Sequence, residues 1–140
     1  MAYALEPSAA GVLGEGTSMD TSTHPPVVTY VEYLLDAPVE TDLIESFPVF
    51  LVSVALAEAL TSAGLSGFTL EDARVLPSLE YREAFDDAPH KKYRRLCPSD
   101  GEAAGCWLDE QFRLCVSDRM MDVPETFDLS GCDIEPTTDP

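Results

Sequence analysis

Two stretches 64 residues apart follow one plan, and that recurrence limits what this chain can fold into more than any other feature. Residues 52–71 read VSVALAEALTSAGLSGFTLE, and residues 116–135 read VSDRMMDVPETFDLSGCDIE. Aligned without a gap, Val52, Ser53, Leu65, Ser66, Gly67 and Glu71 coincide with Val116, Ser117, Leu129, Ser130, Gly131 and Glu135. Each copy follows a short apolar run, 50–52 or 114–116, whose length and content favour a buried strand. Ser53 and Ser117 then stand where a hydroxyl can cap the first turn of a helix. In the first copy Ala55, Leu56, Ala59, Leu60 and Ala63 fall at helical spacing, with Gly64 at the exit. Pro124 interrupts the second copy early, so 118–123 is expected to be a short helix or a turn-rich connection. Residues 68–70 and 132–134 are expected to close the units as strands. The prediction is an α+β fold: one domain over 27–136, with related strand-helix-strand units at about 48–76 and 112–136 around a mixed or antiparallel sheet.

Charge narrows the partners. The chain holds 26 acidic and 8 basic side chains, a formal charge of −18, so its field repels DNA, RNA and anionic lipid and attracts a basic protein. A solubility role, or adaptation to a high-salt cytoplasm, accounts for the same acidity. The most apolar uncharged stretch, 46–57, is far shorter than the roughly 20 residues that span a bilayer. No basic, apolar leader opens the sequence. A cytoplasmic protein that binds neither nucleic acid nor membrane is expected. Residues 1–26 contain no Lys or Arg and are rich in Ala, Gly, Ser and Thr, which predicts a disordered acidic tail. Residues 137–140 read as a second tail.

Between the repeats the signals are mixed. Residues 27–35, VVTYVEYLL, predict a strand, and 73–76 predict an extension of the first unit's closing strand up to Pro77. Residues 78–87 fit a short helix and an irregular loop equally well. HKKYRRLC at 90–97 holds four of the eight basic residues. In so acidic a chain it is expected to pair with carboxylates or to lie on the solvent face of a strand. Residues 98–105 predict a turn centred on Asp100-Gly101, and Trp107 a hairpin-packing residue or a docking anchor. The four cysteines lack C-x-x-C spacing, and reduced, partly buried thiols are expected ahead of a disulfide or a metal site.

Catalytic chemistry has little to build on. His24 and His90 are the only histidines, G-L-S-G at 64–67 is not a nucleophile elbow, and no phosphate loop or metal-binding motif occurs. The passage WLDEQFRLCVSDR at 107–119, followed by LSGCDIEP at 129–136, resembles small bacterial proteins grouped with polymorphic-toxin immunity proteins. Those proteins often end in a strand, a Val-Ser-capped helix and a closing strand. The resemblance implies an α+β protein that binds and blocks a cognate toxin without catalysis or a cofactor, and it carries no functional residue across. Pro124 shortens the expected helix, and residues 1–26 have no counterpart in the likeness. The expectation is therefore a non-enzymatic binding protein of the immunity type that neutralises a basic toxin domain. Asp36, Glu40, Asp42, Glu45, Glu80, Glu83, Asp86 and Asp87 are its candidate contacts, together with Trp107. The alternative is an adaptor of a biosynthetic or secretion complex that docks through residues 1–26.

Overall fold

The serine of each repeat caps a helix: the Leu56 amide donates to Ser53 Oγ at 3.2 Å and the Met120 amide to Ser117 Oγ at 3.1 Å. The computed structural model describes residues 1–99 and 105–138, which places the expected Asp100-Gly101 turn outside the described residues. The strands are β1 (Ala2–Glu6), β2 (Gly11–Leu13), β3 (Ser18–Asp20), β4 (Val27–Tyr30), β5 (Glu32–Leu35), β6 (Leu43–Ser46) and β7 (Val49–Ser53). They continue as β8 (Phe68–Glu71), β9 (Arg74–Pro77), β10 (Tyr93–Pro98), β11 (Cys106–Leu108), β12 (Leu114–Ser117) and β13 (Asp133–Thr137). The helices are α1 (Val54–Ser62), α2 (Leu79–Phe85) and α3 (Asp118–Met121), and Pro124–Thr126 forms a 3-10 turn. The fold is α+β.

Both repeats are strand-helix-strand units, β7-α1-β8 and β12-α3-β13, and both build the same sheet. The strand orders are β6-β7-β10-β8 and β11-β12-β1-β13. In each, the unit's two strands flank a third that runs antiparallel to both: β10 in the first, β1 in the second. The registers agree as well. Leu96 of β10 faces Phe50 and Leu70, and Leu5 of β1 faces Leu114 and Ile134. The 64-residue offset of the sequence repeat is thus kept on both ladders. The shared Leu-Ser-Gly has a backbone cause, since Gly67 and Gly131 take φ of 94° and 76°, a region that side chains disfavour.

Two cores follow from this pairing, one on each face of β7, whose five residues are all buried. Phe50 and Val52 join Leu5, Leu43, Leu56, Leu60, Leu96, Leu114, Val116 and Met120 in the core shared by both repeat sheets. Val49 and Leu51 join Tyr33, Leu35, Ile44, Tyr81 and Tyr93 beneath a third sheet, ordered β2-β5-β9. Each large apolar side chain so buried contributes about 1.5–3 kcal/mol.

Several expectations need correction. Residues 1–26 are no disordered tail: they form β1, β2 and β3, with Ala2, Ala4 and Leu5 at most 1% exposed. Alanine is a poor strand former alone, but here β1 has a partner on each edge, and tertiary pairing overrides propensity. The stretch 27–35 is two strands. β4 pairs with β3 and β5 with β2 and β9, and the chain changes sheets at Val31, which is 1% exposed. β9 is likewise not an extension of β8 but a parallel partner of β5. Residues 78–87 hold α2, and Thr137 ends β13 rather than starting a tail. The four cysteines are free, Cys106 and Cys115 buried, Cys97 and Cys132 half-buried. Among the described residues no helix is long and apolar enough to cross a membrane.

Candidate partner interface

Helix α2 is exposed because little of it can be buried. Ser78 caps it, accepting from the Tyr81 amide at 3.1 Å, and its own amide donates to the Leu35 carbonyl at 2.8 Å. Tyr81 is the helix's single buried residue. Its hydroxyl donates to the Ala88 carbonyl, and its ring packs edge-on against Phe85 and His90 at 5.8 and 5.9 Å. The helix ends at Asp86, whose backbone takes φ 59° and ψ −129°, a positive-φ conformation outside the left-handed helical region and disfavoured by side chains. One aromatic anchor therefore holds a helix whose other residues face solvent, including Leu79 at 67% and Phe85 at 43% exposure.

Six of the sequence-nominated acids gather here. Glu80, Glu83, Asp86 and Asp87 are exposed on α2 and just past its end. Asp36 follows the Leu35 carbonyl that receives the Ser78 amide, and so flanks the helix start. Glu40 is exposed on the same connection, and its carbonyl accepts from Lys91 Nζ at 2.6 Å, Lys91 being next in sequence to His90, whose ring meets Tyr81 edge-on. The helix thus exposes two large apolar side chains and, apart from Arg82, carries only acidic charges.

The other three nominated residues lie elsewhere. Asp42 is 6% exposed and turned inward: Oδ1 is 3.0 Å from Lys91 Nζ, and Oδ2 accepts from the Asp128 amide at 2.9 Å. Trp107 is 9% exposed on the outer side of the second repeat sheet, packed with Ala2, Ala4 and Cys115. It covers small residues of β1 rather than presenting a docking face.

Glu45 is half-buried, and burial, with Glu6 adding like-charge repulsion, pushes its carboxyl up from the ordinary value. Ionising a group whose folded pKa is raised favours the unfolded chain, so this residue lowers stability once the pH exceeds its unfolded value. Glu45→Gln is expected to raise the melting temperature at pH 7 by roughly 2–4 °C. Below about pH 4, where both chains are neutral at this position, the gain disappears. Thermal melts at pH 7 and 3.5 check this.

Sequence reasoning missed one aromatic group. His24 meets Phe112 edge-on at 4.9 Å and Phe47 at 6.0 Å, joining the β3–β4 loop to the turns of β6–β7 and β11–β12. These two turns occupy matching places in the repeat units, which is the signal that would have paired Phe47 with Phe112. Among the described residues no cluster of three or more His, Cys, Asp or Glu is placed to hold a metal ion. No protein-family model, curated protein or solved structure matches this chain.

Proposed function

We propose that this chain is a non-enzymatic binding protein of the immunity type, and that it neutralises a basic protein toxin domain by covering it with the α2 surface. The observation that carries the reading is the composition of that surface: Leu79 and Phe85 are exposed on α2, with Glu80, Glu83, Asp86 and Asp87 exposed on it or just past its end, Asp36 and Glu40 on the neighbouring connection, and Arg82 the one cation of the helix. Apolar anchors inside a charged rim suit a protein partner, the anchors supplying binding energy and the rim steering encounter. The net charge of −18 extends the same preference for a basic partner to long range. The adaptor alternative rested on a disordered docking segment, and the presence of β1, β2 and β3 within residues 1–26 gives that reading less support.

The test is capture of a basic partner by the tagged protein, followed by stopped-flow association over a salt series. The on-rate is expected to fall steeply with ionic strength. Replacing Glu80, Glu83, Asp86 and Asp87 together by Lys should slow association at least about tenfold while leaving the fold intact. A salt-independent rate, or a charge-reversed protein that associates at the wild-type rate, rules the reading out.

A further inference from the structure

The basic run at 90–97 stands apart from the acidic character of the chain, and the structure divides it by strand alternation. Lys91 and Arg95 turn to one side and are held: Lys91 by Asp42 at 3.0 Å, Arg95 by donating Nη1 to the Val28 carbonyl at 2.6 Å. Tyr93, between them, is buried and donates its hydroxyl to the Thr41 carbonyl at 2.8 Å. Lys92 and Arg94 turn the other way. Both line a groove of about 490 Å3 where β9, β10 and the start of α1 converge.

Arg74 and His90 add two further basic side chains to this groove, and Asp72 is its one carboxylate. In a chain of 26 acids and 8 bases, a concavity with three permanent cations and a single acid is an inversion of the surface. Its walls are apolar, with Val54, Ala73 and Val75 among them. A second cavity of about 410 Å3 shares Val54 and Arg94 and runs on along α1 past Ala57 to Thr61 and Leu70, with Glu58 as the one carboxylate on its wall. Arg94 stands at the junction. Its Nη2 donates to the Leu70 carbonyl at 3.2 Å and lies 3.6 Å from Asp72 Oδ1. The Asp72 side chain is fully exposed, and an ion pair of that kind contributes little and yields readily to another anion.

We propose that this groove binds a small organic anion, one acidic group carried on an apolar body, with the acid at Arg94, Lys92 and Arg74 and the body along Val54 towards Leu70. Glu58 flanks only the cavity that takes the body, away from the three cations that hold the acid, and the carboxylates outside the two cavities do not prevent binding. At physiological salt, charges farther than about 8 Å away are largely screened, so the groove's own cations set the local field. Pairing with Arg94 gives the acid a charge-assisted hydrogen bond, and the apolar walls remove the body from water. The site meets the α2 surface only through His90, which lines the groove and packs edge-on against Tyr81.

Decanoate is the probe, titrated into the full chain in 0.15 M salt by calorimetry, with inorganic phosphate as an anion without an apolar body. One saturable decanoate site per chain is expected, with phosphate at least tenfold weaker. Arg94→Gln and Lys92→Gln should each weaken decanoate about tenfold, the size of one lost charge-assisted hydrogen bond. Arg119→Gln, an exposed cation on α3, should leave it unchanged. Should Arg94→Gln fail to fold for want of its Leu70 bond, Lys92→Gln and Arg74→Gln, both at exposed positions, decide the matter. The proposal is overturned if decanoate does not saturate, if phosphate binds as tightly, or if Arg119→Gln weakens decanoate as much as Lys92→Gln.

Discussion

Deleting residues 1–6, or replacing Leu5 by Asp, is expected to abolish the folded state. β1 lies between β12 and β13 and is antiparallel to both, with four register pairs on one side and five on the other. Without it β13 loses its ladder partner and β12 gains an open edge. Leu5 is 1% exposed in the core shared by the repeat sheets, so the aspartate would put an unpaired carboxylate among Leu43, Leu96 and Leu114. Even truncation of a buried leucine to alanine costs about 2–5 kcal/mol. Against a total stability of about 5–15 kcal/mol, losing the whole strand leaves too little. Circular dichroism and urea titration report the outcome, and a cooperative melt from the deleted chain would refute the central role of β1. A deletion of residues 1–26 therefore cannot separate an adaptor from an immunity-type protein, because it removes fold along with any docking segment.

Asp42→Ala is expected to lose about 3 kcal/mol at neutral pH. The Asp42 carboxylate receives the Asp128 amide at 2.9 Å and Lys91 Nζ at 3.0 Å, and also accepts from the Ser53 side chain. Its backbone joins the same places, the amide donating to the Asp128 carbonyl at 2.7 Å and the carbonyl accepting from the Ser53 amide at 2.9 Å. One residue thus ties the helix-capping serine of the first unit to the loop that leads into β13 of the second. Alanine would leave those side-chain donors without their acceptor. Burial works to raise the carboxyl's pKa, but the hydrogen bonds from Ser53, Asp128 and Lys91 outweigh it, and the folded value lies below the ordinary one. A group with a depressed folded pKa contributes stability above its unfolded value, about 3.9, and loses it as the pH falls through the folded value. The gap between wild type and Asp42→Ala should narrow on acidification. Urea titrations at pH 7 and pH 3 measure it, and an equal gap at both would show that the charge has no part in it.

The repeat was legible because its cues are local. A serine cap, a short apolar run and a glycine with positive φ each act within a few residues, and each recurs at the same offset in both units. The strand that completes each unit has no local cue. At β10 the sequence offered only a basic run with the solvent face of a strand as one of two readings, whereas β1 pairs with partners more than a hundred residues away and carries two alanines, so composition alone suggested a tail. The acids show a similar limit. Their number predicts a negative surface, but burial decides which of them reach it, and Asp42 differs from Glu40 only through folded neighbours. Trp107 is explained by the same missing strand, since Ala2 and Ala4 are what it covers.

One consequence of the pairing of β1 with β13 concerns the order in which the chain spells its architecture. Ala2 sits opposite Thr137, so β13 could run on into β1 through a short linker. A circular permutant that starts at β11 would then read hairpin, helix, strand and central strand twice in tandem, with β2 to β5 between the copies and only β9 and α2 inserted within the second. The present connectivity is one cut through a ring of two similar modules, and it separates β1 of the second module from β11, β12 and β13.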